Sequence, residues 1–220
     1  MKQTEINAFC SAAGVPAAHP YVQTFGTISA TNAGKLCLST GFAAKLTAIC
    51  FDKVMAKWTG LAARLAAGKS GTARIDGLYV DGREYYFVEF KKMRMSQLKK
   101  FAVKLHRKVY ESILQLVEKG LKSVADCRTE LTYIVVSPGI PRLTAHDIQV
   151  GFVQGLPPAQ RLAMQQQLFS SIPNCLIHPW RYSMVRAHFG LSRLEEIVYK
   201  RALTLTPKHF NDYAKAKGWV

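Results

Sequence analysis

A chain of 220 residues, 49% of them hydrophobic, is large enough to bury a substantial core, which excludes an intrinsically disordered protein. No apolar run approaches the ~18 residues that a membrane-spanning helix needs, and no secretory signal is recognisable, so we expect a cytoplasmic protein without a membrane partner. Thirty Lys and Arg against fourteen Asp and Glu give a net charge of +16, which favours a polyanionic partner such as nucleic acid.

The order of the predicted elements indicates an α/β protein. Residues 1–40 carry no clear pattern, whereas the spacing of apolar residues predicts a helix over 41–66. Two β-rich runs, 72–80 and 84–92, flank Asp81-Gly82, a strong hairpin signal. An amphipathic helix over 96–119 and a short apolar strand over 130–137 follow. The rest of the chain reads as mainly helical, and Thr206-Pro207 is typical of the start of the last helix.

The charges are unevenly distributed around the hairpin. Residues 91–122 contain ten Lys or Arg and two Glu, a net charge of +8, whereas residues 71–90 contain two Arg and four acidic residues, a net charge of −2. Metal-dependent phosphodiester chemistry needs carboxylates for the metal and cations for the flanking phosphates. The five cysteines are scattered without a C-x-x-C pair, so we predict no zinc site.

Three charged residues of the hairpin share one face with apolar residues. If Asp81-Gly82 forms the two-residue turn, Asp76 lies opposite Phe87, and Asp76 and Glu89 are diagonal neighbours with Cβ atoms ~7 Å apart. Lys91 follows on the same face. Buried carboxylates are costly unless a cation or hydrogen bonds compensate them, so we predict a metal site. The alternative is a sheet edge with structural charges.

At these residues the chain resembles the PD-(D/E)xK nuclease superfamily. Asp76 in "RIDG" and Glu89-Phe90-Lys91 in "VEFKK" match its three-residue motif, and the order of elements over 41–137 is similar. The resemblance implies a restriction-endonuclease-like mixed sheet flanked by helices. The predicted organisation is an N-terminal segment of unclear structure (1–40), a nuclease core (41–137) and a mainly helical C-terminal extension (138–220) packed on the core.

The resemblance also assigns roles to these residues. Asp76, Glu89 and the backbone carbonyl of Phe90 would hold Mg²⁺ or Mn²⁺, which prefer oxygen ligands. The metal would activate a water and neutralise the scissile phosphate, and Lys91 would orient that water or stabilise developing charge. Asp52 on the first predicted helix is either an additional ligand or a surface residue.

Gln97 is a second additional candidate. The stretch 97–101, "QLKKF", is similar to a Gln-x-x-x-Tyr motif of one branch of the superfamily, with Phe in place of Tyr. A polar surface residue in the first helical turn is the other interpretation of Gln97. The basic residues after the hairpin are predicted to bind the nucleic-acid backbone: Lys92, Lys99, Lys100, Lys104 and Arg107.

The sequence therefore predicts a metal-dependent nuclease with DNA as its expected substrate. Two alternatives remain open. One is a nucleic-acid-binding module that has the fold without catalysis, although the intact Asp76, Glu89 and Lys91 set argues against it. The other is an RNA-cleaving toxin domain of the same fold.

Overall fold

The computed structural model describes residues 1–30, 37–60, 73–91, 98–138 and 194–220, with 98–102 described by their main chain alone. Over these residues the protein is α/β, with a six-stranded mixed sheet flanked by helices. The helices are α1 (Gln3–Ala12), α2 (Phe25–Ile28), α3 (Phe42–Lys45), α4 (Phe51–Trp58), α5 (Leu98–Glu118), α6 (Val124–Glu130) and α7 (Pro207–Ala216). The strands are β1 (Val22–Thr24), β2 (Thr47–Ile49), β3 (Gly77–Asp81), β4 (Glu84–Phe90), β5 (Leu131–Val136) and β6 (Arg201–Leu205). Among the described helices, none has both the length and the apolar character that crossing a membrane requires.

The strands lie in the sheet in their order along the chain, β1-β2-β3-β4-β5-β6. Neighbours from β1 to β4 are antiparallel, whereas β4, β5 and β6 run parallel. A parallel pair needs a crossover, and α5 and α6 lie in the connection between β4 and β5. Every residue of β5 is buried, as predicted for a central strand.

The hairpin is present, but its turn lies one residue later than predicted. Asp81 pairs with Glu84, so the two loop residues are Gly82 and Arg83 rather than Asp81 and Gly82. Gly82 has φ 58°, and Arg83 does not have a positive φ. A turn with positive φ only at its first loop position is the type II′ pattern, which places the glycine there and lets the second loop position be Arg.

One face of the sheet, here called the aromatic face, is filled by stacked rings. Phe25 of α2 lies 6.0 Å from Tyr79 and 5.8 Å from Phe90 between ring centroids, and Trp219 stacks on Tyr79 at 4.1 Å. Gly77 allows this packing, because a Cβ at that position would lie 3.2 Å from a ring carbon of Phe25. The aromatic face is therefore a close-packed part of the core.

The opposite face, here called the charged face, is apolar over most of its area. Leu78, Val80 and Phe87 are buried on it, and Phe51 of α4 packs against Phe87 with ring centroids 5.0 Å apart. Helix α5 covers the same face, where its Ser112 accepts a hydrogen bond from the backbone N–H of Ile75. Asp76 and Glu89 lie at one end of this face, under α5.

The predicted helix over 41–66 is divided in the structure. Helices α3 and α4 fall within it, but β2 lies between them and pairs with both β1 and β3. Ile49, for example, lies opposite Leu78. The helical spacing of apolar residues continues across β2, so periodicity alone gives no sign of the three-residue strand. Pairing with two neighbouring strands overrides the local preference. Residues 61–66 lie outside the described residues.

The sheet also extends past both ends of the predicted core, 41–137. Strand β1 comes from the N-terminal segment, and β6 comes from the region predicted to be mainly helical. The prediction for the last helix is confirmed: Thr206 caps α7 by accepting a hydrogen bond from the His209 N–H, and Pro207 occupies the first turn. Residues 139–193 of the predicted extension lie outside the described residues.

Candidate active site

The hairpin brings two carboxylates together. The observed register pairs Gly77 with Val88, so Asp76, one residue before β3, lies opposite Glu89. This corrects the prediction that Asp76 faces Phe87 and that the carboxylates are diagonal neighbours. The correction follows from the shifted turn. The predicted face of each side chain is still correct, because the corrected register moves the partner of each β3 residue by two positions. A shift of two positions preserves the alternation of side chains.

Glu89 is fully buried, with 0% of its side chain exposed, and two lysines contact it. Lys91 Nζ, two residues further along the chain, lies 2.6 Å from Glu89 Oε1. Lys108 Nζ, from α5, lies 2.6 Å from the same oxygen and 3.3 Å from Asp76 Oδ1. Lys108 therefore bridges the two carboxylates, and Lys91 contacts Glu89 alone within this cluster.

Asp76 accepts a backbone hydrogen bond in addition to its ion pair with Lys108. Its Oδ2 accepts a hydrogen bond of 2.7 Å from the backbone N–H of Phe90. Burial and the neighbouring Glu89 carboxylate raise the pKa of Asp76 to about 7, against the opposing effects of Lys108, Lys91 and that N–H. Burial by itself would lower the pKa of Lys108, but the charges of Glu89 and Asp76 raise it above its ordinary value. The charges of the cluster thus influence one another, and Glu89 is its one fully buried member, since 24% of the Asp76 side chain is exposed.

Three buried polar atoms on the charged face have no hydrogen-bond partner among the described residues: Glu89 Oε2, the Tyr133 hydroxyl and Thr204 Oγ1. In the sheet, Glu89, Val135 and Thr204 form one row across three strands, and Tyr133 follows in the next row beside Phe87. Burial and then the Glu89 and Asp76 carboxylates raise the pKa of Tyr133 well above its ordinary value. Arg74 Nη1 and, on the aromatic face, Trp219 Nε1 are likewise buried without a partner among the described residues. Unpaired buried polar groups are rare in native proteins, and a catalytic role or a bound water or ion is among their explanations.

The donor set partly fits a hard divalent cation. Asp76 and Glu89 supply carboxylate oxygens, and Glu89 Oε2 lacks any partner in the described part of the chain. The side chain of Phe90 lies on the aromatic face, 5.8 Å from Phe25 between ring centroids, so only its main chain could contribute to the site. No group of three His, Cys, Asp or Glu placed to hold a metal occurs among the described residues. An Mg²⁺ ion here would keep several waters, as is usual for this ion.

Asp52 does not join the carboxylate pair. It lies in the first turn of α4, where its Oδ1 is 3.0 Å from Nε of Arg74. The start of α4 nevertheless contacts the site region through the main chain, because the Phe51 N–H donates to the backbone carbonyl of Asp76 at 3.1 Å. The predicted role of Asp52 as an additional ligand is therefore not supported by its contacts, and it acts as the ion-pair partner of Arg74.

The predicted phosphate-binding residues are only partly described. Lys104 and Arg107 are exposed on α5, and Arg107 Nε lies 2.5 Å from Glu111 Oε1. Lys99 and Lys100 belong to the first turn of α5, described by its main chain alone. Lys92 and Gln97 lie outside the described residues.

The sequence predicted the amphipathic helix over 96–119 that carries Lys108, but the place of Lys108 in the site was missed. The signal was present, because Lys108 and Ser112 fall at helical spacing within a stripe whose other members, Leu105, Val109 and Leu116, are fully buried. A lysine in an otherwise apolar stripe needs an anionic partner. The buried Glu89 and its neighbour Asp76 supply that partner.

Comparison of the chain with models of protein families, with curated proteins and with solved structures gives no match.

Proposed function

We propose that this protein is a metal-dependent nuclease that hydrolyses phosphodiester bonds, with DNA as substrate and Mg²⁺ or Mn²⁺ as cofactor. The observation that carries the proposal is the fully buried Glu89, which faces Asp76 and contacts Lys91, while its second oxygen has no partner among the described residues. Burying this carboxylate is costly, and the cost is understandable if the site binds a cation and a phosphate during its work.

The fold is compatible with the restriction-endonuclease-like architecture that the resemblance implies. A helix, α4, precedes the β3–β4 hairpin, and the crossover helix α5 leads to the parallel strand β5. Asp76 stands at the start of one hairpin strand, and Glu89 and Lys91 stand at the end of the other. The net charge of +16 adds support, because a nuclease must attract a polyanion.

The residues of the site divide the work of hydrolysis. A bound divalent ion would supply Lewis acidity toward the phosphate, and Asp76 and Glu89 would hold it. Lys91, fixed 2.6 Å from Glu89 Oε1, would orient the attacking water and stabilise negative charge on the phosphate oxygens. The oxygen of that water bonds to phosphorus as the water loses a proton to solvent. The P–O bond to the leaving sugar oxygen breaks, and the sugar oxygen takes up a proton from solvent.

A second candidate is a nucleic-acid-binding module that lacks catalysis. The observation that favours it is the contact of Lys108 with both carboxylates, which already compensates part of their charge without a metal. In that case the cluster is a structural ion-pair network, and the excess positive charge of the protein alone carries its binding.

Cleavage assays on several substrates separate these functions. Purified protein is incubated with supercoiled plasmid, linear duplex DNA, single-stranded DNA and tRNA, in the presence of Mg²⁺, Mn²⁺ or EDTA. We expect metal-dependent cleavage of DNA by the wild type and its loss in Glu89→Gln. The matched control is Glu84→Gln, on the same strand but on the aromatic face, which should cleave normally. Cleavage of tRNA alone would favour the toxin, and binding without any cleavage would favour the module.

A further inference from the structure

The ammonium group of Lys108 lies where a shared cation would be expected. It is 2.6 Å from Glu89 Oε1 and 3.3 Å from Asp76 Oδ1, so one positive centre already joins the two carboxylates. A divalent ion held by both carboxylates would need oxygens of the same pair at about 2.0–2.1 Å for Mg²⁺. Two cations cannot share that space, because they would be in contact and repel each other.

Charge balance also indicates that a divalent ion and both ammonium groups cannot all remain beside the two carboxylates. Asp76 and Glu89 together offer two negative charges when ionised, and Lys91 and Lys108 together already supply two positive ones. A divalent ion added to this set would leave two excess positive charges next to the fully buried Glu89. Moving one ammonium away, or bringing in an anion with the ion, removes part of that excess.

Lys108 is the lysine better placed to move. Lys91 contacts only Glu89 within the cluster and is two residues from it on the same chain segment, so its ammonium remains close to that carboxylate. Lys108 reaches the pair from the separate helix α5, so its ammonium can leave both carboxylates without moving the strand that carries Glu89. Both lysines are partly exposed, Lys91 by 25% and Lys108 by 20% of the side chain. The four-carbon stem of Lys108 can carry the ammonium toward solvent, as long lysine side chains commonly do. Exposed Lys104 lies one turn earlier on the same helix.

We infer that Lys108 is an internal counter-cation that competes with the divalent metal for the Asp76–Glu89 pair. Metal binding displaces its ammonium from between the carboxylates, and the released group becomes available to a phosphate of the nucleic acid. Lys108 thus stabilises the metal-free protein and weakens metal binding until substrate is present. The inference rests on the proposed function only in taking the carboxylate pair as a metal site.

Calorimetric titration with Mn²⁺ tests the competition without reference to catalysis. Lys108→Met keeps a long unbranched side chain and removes the charge, so we expect it to bind Mn²⁺ at least about tenfold more tightly than the wild type. Lys108→Arg keeps the charge and pairs more strongly with carboxylates, so we expect weaker binding than the wild type. Lys104→Met, one turn earlier and exposed, is the control and should bind Mn²⁺ like the wild type.

Thermal melting provides the second measurement. In EDTA, Lys108→Met should melt at a lower temperature than the wild type, because Glu89 loses one of its two cations, and Mn²⁺ should raise its melting temperature by more than it raises that of the wild type. Equal or weaker Mn²⁺ binding by folded Lys108→Met would overturn the inference. If Lys108→Met does not fold, Lys108→Arg decides, since affinity equal to that of the wild type would contradict competition.

The outcomes separate this inference from the nuclease proposal. The expected order of Mn²⁺ affinities, found in a protein that cleaves no substrate, would support the competition and refute the nuclease. Cleavage by the wild type together with Mn²⁺ affinities that do not depend on residue 108 would support the nuclease and refute the competition. Absence of Mn²⁺ binding in every variant would refute both.

Discussion

Two carboxylates of the same hairpin have opposite electrostatic environments. Glu84, on the side of the aromatic face, is one third exposed and accepts hydrogen bonds from Lys200, Tyr86 and Lys217. Those bonds, with Lys200 and Tyr86 contributing most, lower its pKa to about 2. On the charged face, burial and the adjacent Glu89 raise the pKa of Asp76 to about 7 although lysines are close by.

The difference shows that a nearby lysine does not by itself stabilise the ionised form of a carboxylate, because burial can outweigh the attraction. On the aromatic face the charge of Glu84 stays at the rim, and the interior holds rings such as Phe25 and Tyr79 together with aliphatic residues such as Val88. On the charged face, Glu89 lies inside the core with one oxygen unpaired among the described residues. Replacing such buried charges by apolar residues often stabilises a protein, so their presence here supports the proposed role in binding or chemistry.

Truncation on the aromatic face should have the largest effect on stability. Phe25 is fully buried and contacts the rings of Tyr79, Phe90, Phe210 and Trp219. We expect Phe25→Ala to lower the free energy of unfolding by about 3–5 kcal/mol through lost contacts and a cavity. Urea denaturation measures this loss, which should be the same in Mn²⁺ and in EDTA, because apolar packing has no metal partner. A smaller loss in Mn²⁺ would show that the two faces are coupled.

Truncation on the charged face should instead affect chemistry. Lys91→Ala removes a cation 2.6 Å from Glu89, and we expect single-turnover cleavage to fall by about 10²–10³-fold while nucleic-acid affinity changes little. Lys92→Ala is the matched control, with far smaller loss expected. Circular dichroism would first establish that both variants are folded. Cleavage at the wild-type rate by Lys91→Ala would remove this lysine from the mechanism.

The exposed side of α5 tests how far the charged region extends. Lys104 and Arg107 are both exposed, and Arg107 is paired only with Glu111 among the described residues. If both contact phosphates, replacing both by Gln should lower the slope of log affinity against log salt concentration by about one unit per lost contact. Fluorescence anisotropy with a labelled duplex across a salt series measures it. An unchanged slope would show that this surface is only solvated.

The smallest effect is expected at Glu84. Because its folded pKa, about 2, lies below its ordinary value of 4.5, its pairing stabilises the fold above pH 4.5 and is lost as the pH falls toward 2. The contribution of this partly exposed group should be about 1 kcal/mol or less. Urea denaturation of Glu84→Gln should show a correspondingly shallower loss of stability than the wild type over that pH range. Identical pH profiles would mean that the rim charges contribute nothing.

Much of the hairpin could be predicted from the sequence because it depends on local patterns. The alternation of side chains assigned Asp76, Glu89 and Lys91 to one face. The structure confirms that Asp76 and Lys91 both lie close to Glu89. The register was wrong because Asp-Gly permits more than one two-residue loop, and the choice depends on which loop position needs a positive φ. The error moved the pairing without changing the face.

The parts that were missed depend on long-range contacts. Strand β2 is only three residues long and exists through its pairing with β1 and β3, and β6 adds to the sheet beside β5 from more than sixty residues away in sequence. Lys108 belongs to the predicted amphipathic helix over 96–119, and no local pattern pairs it with Asp76 or Glu89. Its role becomes visible only when α5 is placed over the carboxylates.

Mn²⁺ binding by the wild type, Glu89→Gln and Glu84→Gln tests the central claim most directly. Both substitutions remove one carboxylate from β4, but Glu89 faces Asp76 under α5, whereas Glu84 lies at the rim of the aromatic face. Isothermal titration calorimetry should show a single binding event for the wild type and for Glu84→Gln, and no detectable event for folded Glu89→Gln, since Asp76 alone offers too few ligands. Equal Mn²⁺ binding by all three proteins would contradict the assignment of the carboxylate pair as the metal site.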